Sequence, residues 1–445
     1  MSEQDSQVKI KFTTKEHDES LQVPDTALFA PVGLKRYGLS EIINYLLVQN
    51  QKREDSANPV PFDILINGAI LTGSLQDYLT DHGMSNEVIL ELEYKRASLP
   101  PMWSASFENE DWIGSLDIYK QKDSAARILS GGYDGIVRVW NQSGEIEKQF
   151  SGHSGAIKSV KWISDTRVVS GGNDRQVRLW RMKKKYDGEI EEGRTVAILE
   201  GHKAPVSSID VNIKENRILS GGYDNDIYVW STNEKDMVPI TFEHDQLANN
   251  LTSTAAKKRR KLAINDESIK RRSPLITLEG HKQPVEGVVF SKLDSSVGYS
   301  VSQDHTIKTW DLVTGRAVSS STTGFSLLSV VELPTVNLLA CGSSARHIML
   351  HDPRVGTGSN KNIVAKQLVG HKNFVVSLAA DTTNEYGLVS GSHDGSVKVW
   401  DVRSDRPVYT LSREKGLEGQ IFAVDCEERV GVVYGGEDKK IEINK

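Results

Sequence analysis

Four times along the chain a histidine, a serine and an aspartate fall in the same order at nearly the same spacing: His153, Ser170 and Asp174; His202, Ser220 and Asp224; His281, Ser300 and Asp304; His371, Ser390 and Asp394. These are the residue types of nucleophilic acyl transfer, in which histidine takes the serine proton and aspartate orients the histidine. Their repetition argues against that chemistry. A catalytic constellation occurs once and in a cleft, whereas sets recurring at a fixed period belong to the scaffold. A buried carboxylate or imidazole left unpaired costs about 1–3 kcal/mol, so mutual pairing is the expected role, with no enzymatic activity and no cofactor. The two cysteines, Cys341 and Cys426, lack the spaced partners of a zinc site and are too few for a disulfide framework, so the chain is expected to hold no metal of its own. One basic run stands out, Lys257-Lys258-Arg259-Arg260-Lys261 followed by Lys270-Arg271-Arg272, with Asp266 and Glu267 between. Such a run reads as a nuclear import signal or a contact for nucleic-acid phosphate, against the alternative of a solvated loop with no partner.

What must position these residues is a chain of 445 residues with a formal net charge of −6, too long for one ordinary core and without a global basic bias. The start, MSEQDSQVKIKF, lacks an apolar signal-peptide core, and no stretch approaches the roughly 18 apolar residues of a membrane span. Low cysteine usage fits a reducing compartment, and a soluble cytoplasmic or nuclear protein is expected.

Internal repetition carries the most information. GGYDGIVRVW ends at Trp140, GGNDRQVRLW at Trp180, GGYDNDIYVW at Trp230, SQDHTIKTWD contains Trp310, GSHDGSVKVWD contains Trp400, and a worn copy, GGEDKKIEIN, ends at Asn444. A degenerate copy, CGSSARHIMLHD, has Ala345 and His351 at the aspartate and tryptophan positions. The aspartates Asp134, Asp174, Asp224, Asp304, Asp394 and Asp438 each precede their terminal position by six residues. A period of about 40–50 residues belongs to a four-stranded propeller blade. Alternating apolar residues such as Val137 and Val139 place one strand face against the next blade. From about Trp103 the chain thus resembles the WD-repeat family, which implies a seven-bladed β-propeller. The resemblance also implies that each histidine, serine and aspartate is hydrogen-bonded with the tryptophan indole, giving four sets completed by Trp180, Trp230, Trp310 and Trp400. The last repeat stops at its third strand, so the segment around Trp103–Phe107 is expected to supply the outer strand that closes the ring.

Upstream, Val8 to Phe12 alternates like a strand, with Leu21-Gln22-Val23 as its expected hairpin partner. Leu39, Ile42, Ile43, Leu46 and Leu47 share a helical face, with Ser40 or a neighbour as cap. Phe62–Ile66, a turn at Asn67-Gly68, a helical turn from Ser74 to Leu79 and a strand from Val88 to Tyr94 follow. This ββαββ order resembles ubiquitin, without a di-glycine tail. The expected class is mainly β: a small α+β ubiquitin-like (β-grasp) domain over residues 1–96, a stiff Leu-Pro-Pro linker over 97–102, and the propeller over 103–445. The basic run lies in an insertion loop at about 232–274.

The two domain types together resemble the WD-repeat ribosome-biogenesis proteins of the Pescadillo and block-of-proliferation complex, whose N-terminal region is similar to that of Notchless-type factors. Lys35-Arg36-Tyr37-Gly38-Leu39-Ser40, Pro61 to Ile66, Leu99-Pro100-Pro101 and Glu110-Asp111-Trp112 carry the resemblance. It implies a non-catalytic assembly factor for the large (60S) subunit, needed for maturation of large-subunit and 5.8S rRNA precursors and located in the nucleus, nucleolus and nucleoplasm. Implied partners are a block-of-proliferation-type WD-repeat protein, a Pescadillo-type protein, the pre-60S particle with possible direct pre-rRNA contact, and a midasin-type AAA ATPase. Toward that ATPase the matching residue is Glu87, whose carboxylate would complete the partner's metal site. Sequence chemistry alone leaves Asp77 and Asp81 as equal rivals. Other readings are a Notchless-type relative, which would carry an additional blade, and a WD-repeat substrate receptor in ubiquitin signalling.

Overall fold

The computed structural model describes residues 6–16, 18–49, 59–97, 99–119, 126–182, 191–240, 269–354, 364–412 and 419–445. The chain divides near Pro100 into two compact units. The Ala97 amide still bonds Pro61 in the first, and Met102 exchanges two 2.8 Å bonds with Lys445 in the second, so the connection is shorter than the linker expected over 97–102.

In the first unit, β1 (Gln7–Thr13), β2 (Ala27–Pro31), β3 (Phe62–Ile66), β4 (Ala69–Ile70) and β5 (Ile89–Arg96) form one sheet ordered β2-β1-β5-β3-β4, with β1 and β5 parallel at its centre. Helix α1 (Arg36–Gln49) buries Leu39, Ile43 and Leu47 fully, in one core with Val8, Ile10, Phe12, Ile64 and Leu92. Asn67 and Gly68 both have positive φ, 50° and 80°, the turn that best matches the twist of a two-residue hairpin. This is the β-grasp arrangement of a ubiquitin-like domain.

Two local expectations are corrected. The partner of β1 is Ala27–Pro31, not Leu21-Gln22-Val23, which follows a 3-10 turn at Glu19–Leu21. The Tyr94 hydroxyl donates to the Leu21 carbonyl at 2.7 Å and accepts the Val23 amide at 2.9 Å, taking polar groups a ladder would have needed. Ser40 is no cap, because α1 begins at Arg36. Its buried hydroxyl accepts the Phe62 amide at 3.0 Å, and Asn44 brackets Val60 on both sides, so the helix docks the incoming β3 through polar side chains.

Among the described residues the second unit forms seven sheets, each built on four antiparallel strands. Their inner strands, Ile113–Ile118, Ile157–Ser164, Val206–Asn212, Val285–Phe290, Leu327–Leu333, Val375–Ala380 and Ile421–Glu427, pack against one another in that order, and the last packs on the first. The ring closes as expected: β6 (Trp103–Glu108) runs antiparallel to Lys440–Asn444, with Ile441 opposite Phe107 and Ile443 opposite Ala105. No free edge remains between first and last blades.

The insertion is smaller than expected. Lys270–Arg272 is a strand, pairing parallel with Arg194–Leu199 on the outside of the second blade, so 232–274 is not loop throughout. Lys257, Lys258, Arg259, Arg260 and Lys261 lie outside the described residues.

Candidate functional site

The four Ser, His and Asp sets assemble identically. His153 Nδ1 lies 2.8 Å from Asp174 Oδ2 and its Nε2 2.7 Å from Ser170 Oγ, while Trp180 Nε1 donates to the same Oγ at 2.7 Å. His202, Ser220, Asp224 and Trp230 repeat this at 3.0, 2.8 and 2.8 Å. His281, Ser300, Asp304 and Trp310 do so at 2.9, 2.7 and 2.7 Å, as do His371, Ser390, Asp394 and Trp400. Each aspartate also accepts the amide after its histidine, from Ser154, Lys203, Lys282 and Lys372. Nδ1 faces the carboxylate and Nε2 the serine hydroxyl, so each polar side-chain atom of histidine, serine and tryptophan in the set has a partner. All four serines are fully buried, so no hydroxyl faces a substrate. The arrangement locks loop, strand and turn of one blade together.

The other three blades keep only parts of the set or none of it. In the first, Trp140 still donates to Ser130 at 2.8 Å, but the histidine is absent and the buried guanidinium of Arg138 meets Asp134 at 2.7 Å instead. In the fifth, Cys341, Ala345 and His351 stand at the serine, aspartate and tryptophan positions, and burial pushes the Cys341 thiol up to about 12. The partial set of the first blade leaves Arg138 Nη1 buried without a hydrogen-bond partner among the described residues.

Sequence reasoning missed a second set of bonds, between blades. Hydroxyls of Ser115, Ser159, Ser208 and Ser377 accept the amides of Val160, Ile209, Val288 and Val424 on the neighbouring inner strands. The one signal was the serine near the start of these four inner strands.

Acid should loosen this frame. Burial holds His281 below the usual imidazole range. Burial also pushes the Asp304 carboxyl up, but bonds from Thr306, the Lys282 amide and His281 outweigh it and hold the group at about 2. Both folded-state values lie below the unfolded ones, so the unfolded chain binds more protons as pH falls. Stability is expected to decline first below about pH 6.5 and again from about pH 4 toward about 2. The melting temperature should drop between pH 7 and 5 and further by pH 3; a flat or rising profile contradicts this linkage.

In the first unit, α2 (Leu75–Asp81) starts at a capping box, in which Ser74 Oγ accepts the Asp77 amide and Asp77 accepts the Ser74 amide at 2.9 Å. These bonds hold the Asp77 carboxyl below its ordinary range and commit it to the helix end. After Asp81 the chain is pinned by the Met84 amide on the Leu79 carbonyl, 2.9 Å, then turns at Asn86 and Glu87 into β5. Glu87 is exposed, and no hydrogen bond or ion pair engages it among the described residues. Asp81 is exposed at the end of α2. Of the basic residues, Arg271 pairs with Glu200, Arg272 Nε donates to the Glu234 carbonyl at 2.6 Å, and Lys270 lies 3.9 Å from Glu234. These three are therefore engaged in holding the insertion's end to its blade. Among the described residues no group of three or more His, Cys, Asp and Glu could hold a metal ion.

The NLE (NUC135) domain model matches residues 8–79, from β1 through most of α2 and ending ahead of Glu87. The WD domain, G-beta repeat model matches 105–141, 144–181, 193–231, 272–311 and 362–401, leaving the first three strands of the fifth and seventh blades unmatched. Full-length relatives are closer. "Ribosome biogenesis protein YTM1" of Vanderwaltozyma polyspora is 56% identical over 461 residues, spanning 100% of this chain and 98% of that protein. The chain belongs to the YTM1 family of ribosome biogenesis proteins. Its members from Saccharomyces cerevisiae (strain ATCC 204508 / S288c), 56% identical over 466 residues, and Candida albicans, 55% over 460, likewise span 100% of this chain and 98% of their own. The WD40 β-propeller domain of Doa1 resembles the fold at a TM-score of 0.57 and 17% identity, over 78% of this chain and 96% of that one.

Proposed function

We propose that the chain is a non-catalytic assembly factor for the large ribosomal subunit, acting in the nucleus between the nucleolus and nucleoplasm. Family membership supports the ribosomal role. The propeller docks on a block-of-proliferation-type WD-repeat protein in a trimeric complex with a Pescadillo-type protein on the pre-60S particle. The ubiquitin-like unit is a handle for release by a midasin-type AAA ATPase.

One observation carries the handle. Glu87 is an exposed carboxylate without a partner among the described residues, on a turn whose two ends are fixed by α2 and β5; of its two rivals Asp77 is consumed by a capping box, while Asp81 is equally exposed at the end of α2. A carboxylate oxygen of this kind can fill one octahedral position of a Mg²⁺ held by the partner, at about 2.1 Å. Force then enters through one unit and leaves through the other. The basic segment 257–261 serves import or pre-rRNA contact.

Tagged chain purified from cells should bring down the two complex partners, the ring ATPase and large-subunit rRNA precursors together. Recovery of ubiquitin-ligase components without any pre-ribosomal material would move the function to a substrate receptor in ubiquitin signalling.

A further inference from the structure

The propeller rim carrying the tetrad aspartates has a composition that the packing of the blades does not require. In each tetrad blade, the loop holding the histidine and the turn holding the aspartate meet at 2.8–3.0 Å, so these loops and turns share one end of the ring. The residue after the aspartate adopts positive φ in every blade. Two blades place glycine there, Gly135 and Gly395, one Asn225 and one His305 (φ 66°). Three instead place a long cation, Arg175 (φ 67°), Arg346 (67°) and Lys439 (64°), where a side chain is strained. In three others the residue after the tetrad histidine is lysine, Lys203, Lys282 or Lys372, its amide held by the aspartate and its side chain exposed.

Each of the second to seventh blades thus sets one exposed cation on this rim. Among the described residues none of the six forms a salt bridge; Lys439 bonds only a backbone oxygen, that of Glu110, at 3.2 Å. The acidic residues Glu110 and Asp111 belong to the first blade and Glu437 to the seventh; in the arc from the second to the sixth, Asp226, Glu279 and Glu286 stand beside five exposed cations, while the four tetrad aspartates there are each paired with a histidine. Partly exposed aromatic rings stand on the same loops and turns. Tyr223 and Phe325 are each 45% exposed, Phe374 42% and Trp112 38%. Trp112, Tyr133, Phe422, His393 and Phe374 form a chain of ring contacts with centroids 5.5, 5.9, 5.6 and 6.1 Å apart.

We propose that this rim binds single-stranded RNA, its unpaired cations following the phosphates while the exposed rings stack on bases. Cations interleaved with accessible rings are what an unstructured strand recognises, and a duplex would hide its bases from them. An acidic protein segment would use the charges but not the rings. The proposal adds an RNA contact on the propeller rim to the ribosomal role, does not depend on Glu87, and uses residues other than those of segment 257–261.

The test is fluorescence anisotropy of a labelled oligouridylate of about 12 nucleotides with the full chain, over a salt series. Three variants are compared: Lys203→Ala/Lys282→Ala/Lys372→Ala, Tyr223→Ala/Phe374→Ala, and alanine at all of 257–261. Expected are a tenfold or greater loss for the lysine variant with a salt slope smaller by about two, and a comparable loss with unchanged slope for the ring variant. Thermal melting should show both folded, because every altered side chain is exposed or half-exposed. If both rim variants bind as the wild type does, and only the 257–261 variant fails, RNA belongs to the insertion and the proposal is wrong. It is equally overturned if the wild type ignores the oligonucleotide but captures a polyglutamate peptide through the same lysines.

Discussion

Glu87→Ala is expected to abolish capture of the ring ATPase, by tenfold or more in affinity, while the propeller partner remains bound and large-subunit precursors accumulate on the tagged protein. The size follows from the role: an ionised oxygen at a divalent cation is replaced by a methyl group, and each tenfold loss corresponds to about 1.4 kcal/mol. Glu87→Gln keeps shape but loses charge and should also fail. Asp81→Ala, on the neighbouring exposed acid, should behave as wild type. Stability is the control, since an exposed glutamate with no partner among the described residues should change folding by no more than about 0.5 kcal/mol when truncated. Chelation of Mg²⁺ should reproduce the variant's behaviour with wild-type protein. Retention of the ATPase by Glu87→Ala at wild-type level, with the metal present, would falsify the handle.

Ser300→Ala should be a strongly damaging single-atom deletion in the propeller, as should the same change at the other tetrad serines. Its Oγ is fully buried and sits 2.7 Å from both the Trp310 indole nitrogen and His281 Nε2, so removal strands two groups at once. At about 1–3 kcal/mol each, the cost is about 2–6 kcal/mol, which urea titration followed by tryptophan fluorescence would read. The fifth blade predicts the opposite sign of logic. There Cys341 is fully buried where the tetrad serine would stand, so Cys341→Ser introduces a hydroxyl rather than restoring a network and is expected to destabilise. Ala345→Asp with His351→Trp is likewise expected to cost stability, because the added carboxylate would find no serine-bound histidine beside it. Neutral behaviour of Ser300→Ala would mean that the four residues do not act as a unit.

The frame of this molecule was legible in its sequence because it is written repeatedly. An aspartate six residues before a tryptophan, recurring with a Gly-His and a strand serine, points to one solution at each repeat, and the tetrads have that geometry. Closure by Trp103–Glu108 followed from a last repeat that lacks its outer strand. The β-grasp order followed from alternation in β1 and from Asn67-Gly68, the pair that best accepts two positive φ angles. Single residues with no repeat behind them were less legible. Leu21-Gln22-Val23 has strand-like composition, yet the Tyr94 hydroxyl, 71 residues or more away, takes its polar groups and leaves the hairpin to Ala27–Pro31. Lys270–Arg272 has the composition of a free basic segment, but Glu200 and the edge of Arg194–Leu199 recruit it as a strand. Sequence by itself determined which residues repeat, and so which are buried and paired, because local spacing dictates both strand facing and the hydrogen-bonding set. Only the tertiary structure decided which acid is free, since Asp77 and Glu87 differ by the capping bond one makes, and which surface gathers cations and rings, since Arg175, Arg346, Phe374 and Trp112 come together only when the ring closes.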